Sequence, residues 1–89
     1  MTEAAFRVRG RVQGVGYRWW THAQATRLRL EGSVRNTEDG SVEVRLRGPD
    51  VVVAQMRALL AKGPPGADVT AVDELPATTV PAGRFTILR

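Results

Sequence analysis

The sequence contains no cysteine, and histidine and lysine occur once each in its 89 residues. The absence of cysteine excludes a disulfide framework, a cysteine nucleophile and every thiolate metal site, and it fits a reducing compartment. His22 and the scattered carboxylates do not have a spacing typical of metal ligands. We therefore expect a protein that holds no metal and needs no cofactor.

Long hydrophobic runs are also absent, and none approaches the ~20 residues of a membrane span. Residues 1–5 lead directly into a strand-like segment and lack the apolar core of a signal peptide. The sequence therefore predicts a cytoplasmic location and no membrane partner. With 43% hydrophobic and 25% charged residues, the chain is typical of one globular domain that spans residues 1–89.

The formal net charge is +4, and nearly all of the positive charge is arginine because Lys62 is the single lysine. A positive net charge favours anionic binding partners. It does not distinguish a small phosphate from a nucleic acid.

Hydrophobic periodicity predicts the order β-α-β-β-α-β with a short fifth strand at the end. Val52, Met56, Leu59 and Leu60 form an amphipathic face on the second helix, with Asp50 as its expected cap. The first helix has a thinner stripe, which consists of Trp20, Ala23, Gln24, Arg27 and Leu28. The predicted strands span residues 5–12, 32–37, 41–47, 68–75 and 85–88, and a Thr- and Pro-rich connection precedes the last strand. The first predicted helix spans residues 18–29, and the second is opened by residues 48–50 and ended by Gly63.

This order is typical of an α+β protein with the ferredoxin-like split βαβ arrangement, in which two helices cover one face of an antiparallel sheet. Strand alternation directs apolar side chains such as Phe6 and Val44 toward the helices. The opposite face is expected in solvent, and it carries Glu43 together with Arg7, Arg9, Arg11, Arg45 and Arg47.

The topology also predicts where a site can form. Strand 1 neighbours strand 3, and strand 2 pairs with strand 3 through a hairpin at Asp39-Gly40. Strands 1 and 2 then run parallel, so the loop after strand 1 and the end of strand 2 lie at the same edge of the sheet. They are two strand spacings apart, roughly 10 Å, which admits a tetrahedral anion with a water beside it. We therefore expect the loop Gln13 to Arg18 and Asn36 to surround one site.

The loop has the composition of an anion-binding turn. Gly14 and Gly16 permit backbone angles at which successive N–H groups converge, and the following helix adds unpaired N–H groups and the positive end of its dipole. Arg18 can place its planar guanidinium in the same space. The alternative is that the loop is only a tight connection and that Asn36 is only a turn residue before Asp39.

Two segments resemble the signatures of the acylphosphatase family. Residues 10–18 are similar to the first signature, residues 32–43 to the second, and residues 63–67 to the stretch after the second helix. The resemblance implies hydrolysis of acyl phosphates to a carboxylate and inorganic phosphate, with Arg18 and Asn36 as catalytic residues that bind the phosphate and orient the water. The phosphate-binding backbone amides that it implies are those of Gln13, Gly14, Val15, Gly16, Tyr17 and Arg18.

Three positions depart from the family pattern. Arg29 stands where the family usually has glycine, Ser33 where it has tryptophan, and Tyr17 where phenylalanine is commoner. Arg29 and Ser33 lie outside the predicted site, so we expect them to affect packing and stability rather than chemistry.

The implied mechanism needs no strong base, because a phosphate oxygen of the substrate can accept the proton of the water. His22 is therefore interpreted as a surface or packing residue. Of Trp19 and Trp20, at least one is expected in the core, and a substrate platform is the alternative. The expected partner is a small acyl phosphate, with inorganic phosphate or sulfate in the same site, and we expect a monomer.

Two other functions fit parts of the sequence. The arginine-rich sheet face is typical of a nucleic-acid-binding module, but its predicted exposed positions carry no aromatic side chain on which bases could stack. A non-catalytic ligand-sensing domain could have the same topology. The presence of both Arg18 and Asn36 argues against that second alternative.

Overall fold

The structure, a computed structural model, describes residues 1–76, 79–80 and 82–88. The predicted order of elements and the α+β ferredoxin-like fold are confirmed. The elements are β1 (Thr2–Arg11), α1 (Tyr17–Arg27), β2 (Glu31–Asn36), β3 (Val42–Gly48), α2 (Asp50–Lys62), β4 (Asp68–Leu75) and β5 (Thr86–Ile87). In the described part of the chain, no helix has the length and apolarity that crossing a membrane requires.

The five strands form one sheet in the order β4-β1-β3-β2-β5. As predicted, β1 and β3 are antiparallel neighbours, and β2 pairs with β3 through the hairpin. The sheet is mixed rather than purely antiparallel, because β5 pairs parallel to β2 at the far edge. The connection from β4 to β5 must therefore cross the sheet, and its residues 77, 78 and 81 lie outside the described residues.

Two glutamates hold this crossing connection. The backbone N–H of Val80 donates to Glu3 Oε2 at 2.7 Å, and the N–H of Gly83 donates to Glu31 Oε2. Val80 is itself buried. The crossing is thus fixed at the β1 and β2 ends opposite the loop that follows β1.

The core lies between the sheet and the two helices, and Val8, Val34 and Val44 are fully buried there. The predicted face of α2 is confirmed for Met56 and Leu60. Val53, rather than Val52, completes the buried row, while Val52 and Leu59 are partly buried.

The predicted stripe of α1 is wrong for Ala23 and Arg27, which are exposed. The buried row is Tyr17, Thr21 and Ala25 instead, one residue at each successive turn. This row contains a threonine and an alanine, so it lacks the run of large apolar residues from which a helix face is usually recognised.

The start of α2 also differs from the prediction. Asp50 is the first helical residue rather than the cap, Pro49 occupies the cap position, and no side chain caps the helix. The Asp50 carboxylate accepts a hydrogen bond from the Thr2 hydroxyl. Its negative charge lies in the first turn, where it interacts favourably with the helix dipole.

Ion pairs cover the open face of the sheet. Glu43 was expected in solvent, but it is only 8% exposed because Arg7, Arg35 and Arg45 surround its carboxylate at 3.9, 3.3 and 3.3 Å. Burial raises the pKa of Glu43, but hydrogen bonds and the charges of Arg35 and Arg45 outweigh it, so the pKa is lowered overall. Glu43 therefore offsets part of the positive charge that these three arginines place on the open face.

Candidate active site

The loop between β1 and α1 turns sharply at two glycines. Gly14 and Gly16 have φ values of 76° and 78°, in the left-handed region that favours glycine. A Cβ at either position would meet nothing within 4 Å, so backbone conformation rather than space requires glycine there. Gly16 is also the N-cap of α1, and it supplies no side-chain hydrogen bond to the helix.

The backbone donors of this loop have no acceptor within the described part of the protein. The first N–H group to be bonded is that of Trp20, which donates to the Gly16 carbonyl at 2.9 Å. The described residues provide no acceptor for the N–H groups of residues 13–19. The first turn of α1 also contains no acidic residue. Unpaired donors at the positive end of a helix dipole favour an anion.

The side chain of Gln13 joins this loop to the β2–β3 hairpin. Its Nε2 donates to the carbonyls of Thr37 and Ser41, at 2.9 and 2.8 Å. The loop after β1 and the end of β2 are therefore held together at one edge of the sheet, as the topology predicts. Sequence reasoning considered only the backbone amide of Gln13 and missed this contact, which depends on the packing of the hairpin.

Tyr17 anchors the start of α1 to α2. Its ring is 1% exposed, and its hydroxyl donates to the carbonyl of Leu60 at 2.7 Å. The helical partner of that carbonyl would be the N–H of residue 64, but Pro64 has none. The hydroxyl thus satisfies a carbonyl that Pro64 leaves unpaired, and burial raises the pKa of Tyr17.

The predicted catalytic side chains lie in one open pocket of about 600 Å³, lined by Arg18, Trp19, Asn36 and Ile87. Arg18 is in the first turn of α1, and its Nη1 donates to the carbonyl of Leu88 at 3.2 Å. Asn36 is the last residue of β2 and has the same strand parity as the buried Val34. Its side chain therefore lies on the helix-covered face, near the first turn of α1.

The hairpin after Asn36 is stabilised by other residues. The Asp39 carboxylate accepts hydrogen bonds from the Ser41 hydroxyl, the Thr37 hydroxyl and the Ser41 N–H, and these lower its pKa. The side chain of Asn36 takes no part in these bonds within the described structure. The turn can thus form without it, which weakens the interpretation of Asn36 as only a turn residue.

His22 does not line the Arg18 pocket. It lies in the middle of α1, beside a different cavity of about 470 Å³, and its ring is 6.2 Å from that of Phe85. The two tryptophans differ in their burial. Trp20 is partly buried, and its ring centroid lies 5.5 Å from that of Tyr17. Trp19 is 70% exposed and lines the pocket. Within the residues described, no group of three His, Asp or Glu residues could hold a metal ion.

The fold and loop define a small ferredoxin-like α+β protein in which unpaired backbone donors and an arginine meet at one edge of the sheet. Comparison with known proteins narrows this class. The acylphosphatase family model matches residues 4–87, and the chain belongs to the acylphosphatase family. It is therefore an enzyme of that family.

Individual relatives agree with this assignment. The chain is 49% identical over 88 residues to an acylphosphatase of Rhizobium meliloti, covering 97% of this chain and 92% of the relative. The crystal structure of acylphosphatase from Bacillus subtilis has a TM-score of 0.93 at 31% identity and full coverage of both chains, 100% each. An acylphosphatase from Coxiella burnetii has a TM-score of 0.89 at 31% identity, covering 98% of this chain and 92% of its own.

Proposed function

We propose that the protein hydrolyses the carboxyl–phosphate bond of acyl phosphates, giving a carboxylate and inorganic phosphate. The observation that carries this proposal is that Arg18, at the N-terminus of α1, and Asn36, at the end of β2, line the same pocket beside the loop of unpaired N–H groups. Family membership supports the same reaction.

The phosphate is held by the loop amides of residues 13–18 and by the guanidinium of Arg18. Phosphoryl transfer spreads negative charge over the three equatorial oxygens of the transferred group. Fixed N–H donors and a planar cation stabilise that charge without reorganising during the reaction. The contact from Arg18 Nη1 to the Leu88 carbonyl supports this role, because it restrains a long side chain beside the loop.

The attacking water is oriented by Asn36, whose amide oxygen can accept one of its hydrogen bonds. The water oxygen forms the new bond to phosphorus as the bond to the acyl oxygen breaks. The proton of the water passes to a phosphate oxygen, and the carboxylate leaves without needing a general acid. Asn36 fits this position because its backbone is fixed in the sheet by pairing with Val42.

The direct test is steady-state hydrolysis of acetyl phosphate by the purified protein, with and without a chelator. We expect the same turnover in both, together with competitive inhibition by inorganic phosphate. Arg18→Ala, purified in the same way, controls for contaminating phosphatases. Activity that is lost in chelator and restored by magnesium, or phosphate inhibition that is purely non-competitive, would contradict the proposed site.

A further inference from the structure

The side chain of Trp19 is exposed to solvent at the pocket that Arg18 and Asn36 line. It is 70% exposed although it lies in the first turn of α1, directly after Arg18. Trp20, the neighbouring residue, packs against the ring of Tyr17 and the core. Among the described residues Trp19 has no aromatic partner. Its ring therefore contributes little to folding and leaves a large apolar surface in water.

The pocket beside Trp19 has two chemically different sides. Arg18 and Asn36 provide a cation and an amide, while Trp19 and Ile87 provide an indole ring and an aliphatic side chain. An acyl phosphate has the same division, since a dianionic phosphate is joined through one oxygen to a carbonyl and an organic group. When the phosphate lies against the first turn of α1, the organic group must lie within a few ångströms of it.

We infer, on the basis of the proposed function, that Trp19 and Ile87 bind the acyl part of the substrate and that Trp19 gives the enzyme a preference for aromatic acyl phosphates. A flat ring stacked on the indole removes apolar surface of both partners from water. An acetyl group is too small to cover much of the ring. The preference for one substrate over another therefore depends on the contact between Trp19 and the organic group. The loop and Arg18 bind the phosphate, which all these substrates share.

Kinetics with two substrates test this inference. We expect Trp19→Ala to lower the ratio of kcat/KM for benzoyl phosphate to that for acetyl phosphate by about tenfold, which is the scale of discrimination in an apolar pocket. Trp19→Phe keeps an aromatic ring and should retain most of the ratio. Val51→Ala is the matched control, because Val51 is a 79% exposed apolar residue on α2, outside the pocket. An unchanged ratio in Trp19→Ala overturns the inference.

Binding of phosphonates, which cannot be hydrolysed in this way, separates the inference from the proposed function. We expect benzylphosphonate to bind wild-type protein about tenfold more tightly than methylphosphonate in a calorimetric titration, on the same scale of apolar discrimination. Trp19→Ala should remove most of this advantage. If acetyl and benzoyl phosphate are not hydrolysed but the advantage depends on Trp19, the proposed function is wrong and the aromatic subsite stands. If both phosphonates bind equally to the wild type, the subsite is refuted whatever the activity.

Discussion

Arg18 combines a charge with a fixed position. Its backbone lies in the first turn of α1, and its Nη1 atom donates to the Leu88 carbonyl at 3.2 Å. A guanidinium has five donors in a planar fork, so a bond to one carbonyl leaves others for phosphate oxygens. A lysine at this position would keep the charge but could not make both contacts in one plane.

Arg18→Lys should therefore lower kcat/KM for benzoyl phosphate by at least ~10²-fold, the scale for losing one transition-state donor. Arg18→Ala should lower it further and weaken inhibition by inorganic phosphate. The control is Arg27→Lys, the same exchange in the last turn of α1, which should change neither quantity. Near-normal kinetics of Arg18→Lys would remove the guanidinium fork from the mechanism.

Asn36 should act on the water and only weakly on the phosphate. Asn36→Ala is expected to lower kcat by ~10²-fold or more, because an oriented polar group of the site is lost. The inhibition constant of inorganic phosphate should change little, in contrast to Arg18→Ala. The measurement is turnover of benzoyl phosphate together with phosphate inhibition of each variant.

A thermal unfolding curve must accompany this experiment, since Asn36 pairs with Val42 at the start of the hairpin. If folded Asn36→Ala turns over normally, something else positions the water. If it loses phosphate affinity as strongly as Arg18→Ala, Asn36 belongs to the phosphate-binding set.

At the scale of elements, the end of α1 explains one departure from the family pattern. Arg29 follows the helix with a φ of 58°, the left-handed conformation that usually requires glycine. The N–H of Arg29 donates to the Thr26 carbonyl, and the N–H of Leu30 donates to the Ala25 carbonyl at 2.9 Å. These two bonds form a Schellman motif, so the helix end keeps its geometry although arginine strains it.

Arg29→Gly should therefore stabilise the protein, by about 1 kcal/mol, because it relieves a left-handed arginine at the cost of some chain entropy. For a domain of this size that corresponds to an increase in Tm of roughly 4–8 °C. Arg27→Gly is the matched control, since the same exchange inside the helix should destabilise by about 1 kcal/mol. A lower Tm for Arg29→Gly would show that the arginine side chain stabilises the helix end.

Ser33 on β2 is a second departure from the family pattern, and the space beside it could hold a larger side chain. It pairs with Arg45 on β3 and with Thr86 on β5, on the open face of the sheet. A cavity of about 250 Å³ lies there, lined by Gly32, Ser33, Arg45, Ala82, Arg84, Thr86 and Leu88. The family's tryptophan would project toward this space, so Ser33 affects packing at the sheet edge rather than the pocket at Arg18 and Asn36.

At the scale of the whole molecule, ion pairs offset part of the positive charge of the open sheet face. Besides the group around Glu43, Arg9 pairs with Asp73 at 2.7 Å and Arg47 with Glu31 at 3.5 Å. The hydrogen bond and charge of Asp73 raise the pKa of Arg9. These pairs reduce the positive charge available to a polyanion, and we therefore do not favour nucleic-acid binding by this face.

The Glu43 cluster makes a prediction about acid stability. Because the pKa of Glu43 is lowered in the folded state, its ionised carboxylate contributes to the free energy of unfolding. This contribution is fully present above the ordinary pKa of 4.5, and it is lost as the pH falls through the lower pKa of the folded state. Glu43→Gln should be less stable than wild type by ~2 kcal/mol at pH 7, because three arginines lose a buried counter-charge. The difference should narrow progressively below about pH 4.5.

Urea denaturation at neutral and acidic pH measures this difference. Glu38→Gln, at an exposed position of the hairpin, is the matched control and should follow the wild-type curve. A difference between Glu43→Gln and wild type that stays constant with pH would show that shape, rather than charge, makes Glu43 stabilising.

The sequence by itself determined the order of elements, the sheet topology around β1, β2 and β3, and the meeting of the loop with Asn36. Strand alternation, the Asp39-Gly40 hairpin signal and the glycines of the loop are local properties, and antiparallel pairing then leaves few arrangements. The positive φ of Gly14 and Gly16 follows from the same local reasoning. The resemblance at residues 10–18 and 32–43 implied the chemistry that is proposed for these positions.

Only the tertiary structure decided which side chains are buried and which partners they have. In the folded protein Glu43 is buried beneath three arginines, and the side-chain amide of Gln13 donates to two carbonyls of the hairpin. Trp20 packs against the core, whereas Trp19 is exposed at the pocket. Adjacent tryptophans on a helix differ in direction by about 100°, and periodicity cannot tell which one faces the core when the apolar stripe is thin. Contacts between residues distant in sequence depend on how whole elements pack, and that information is not local.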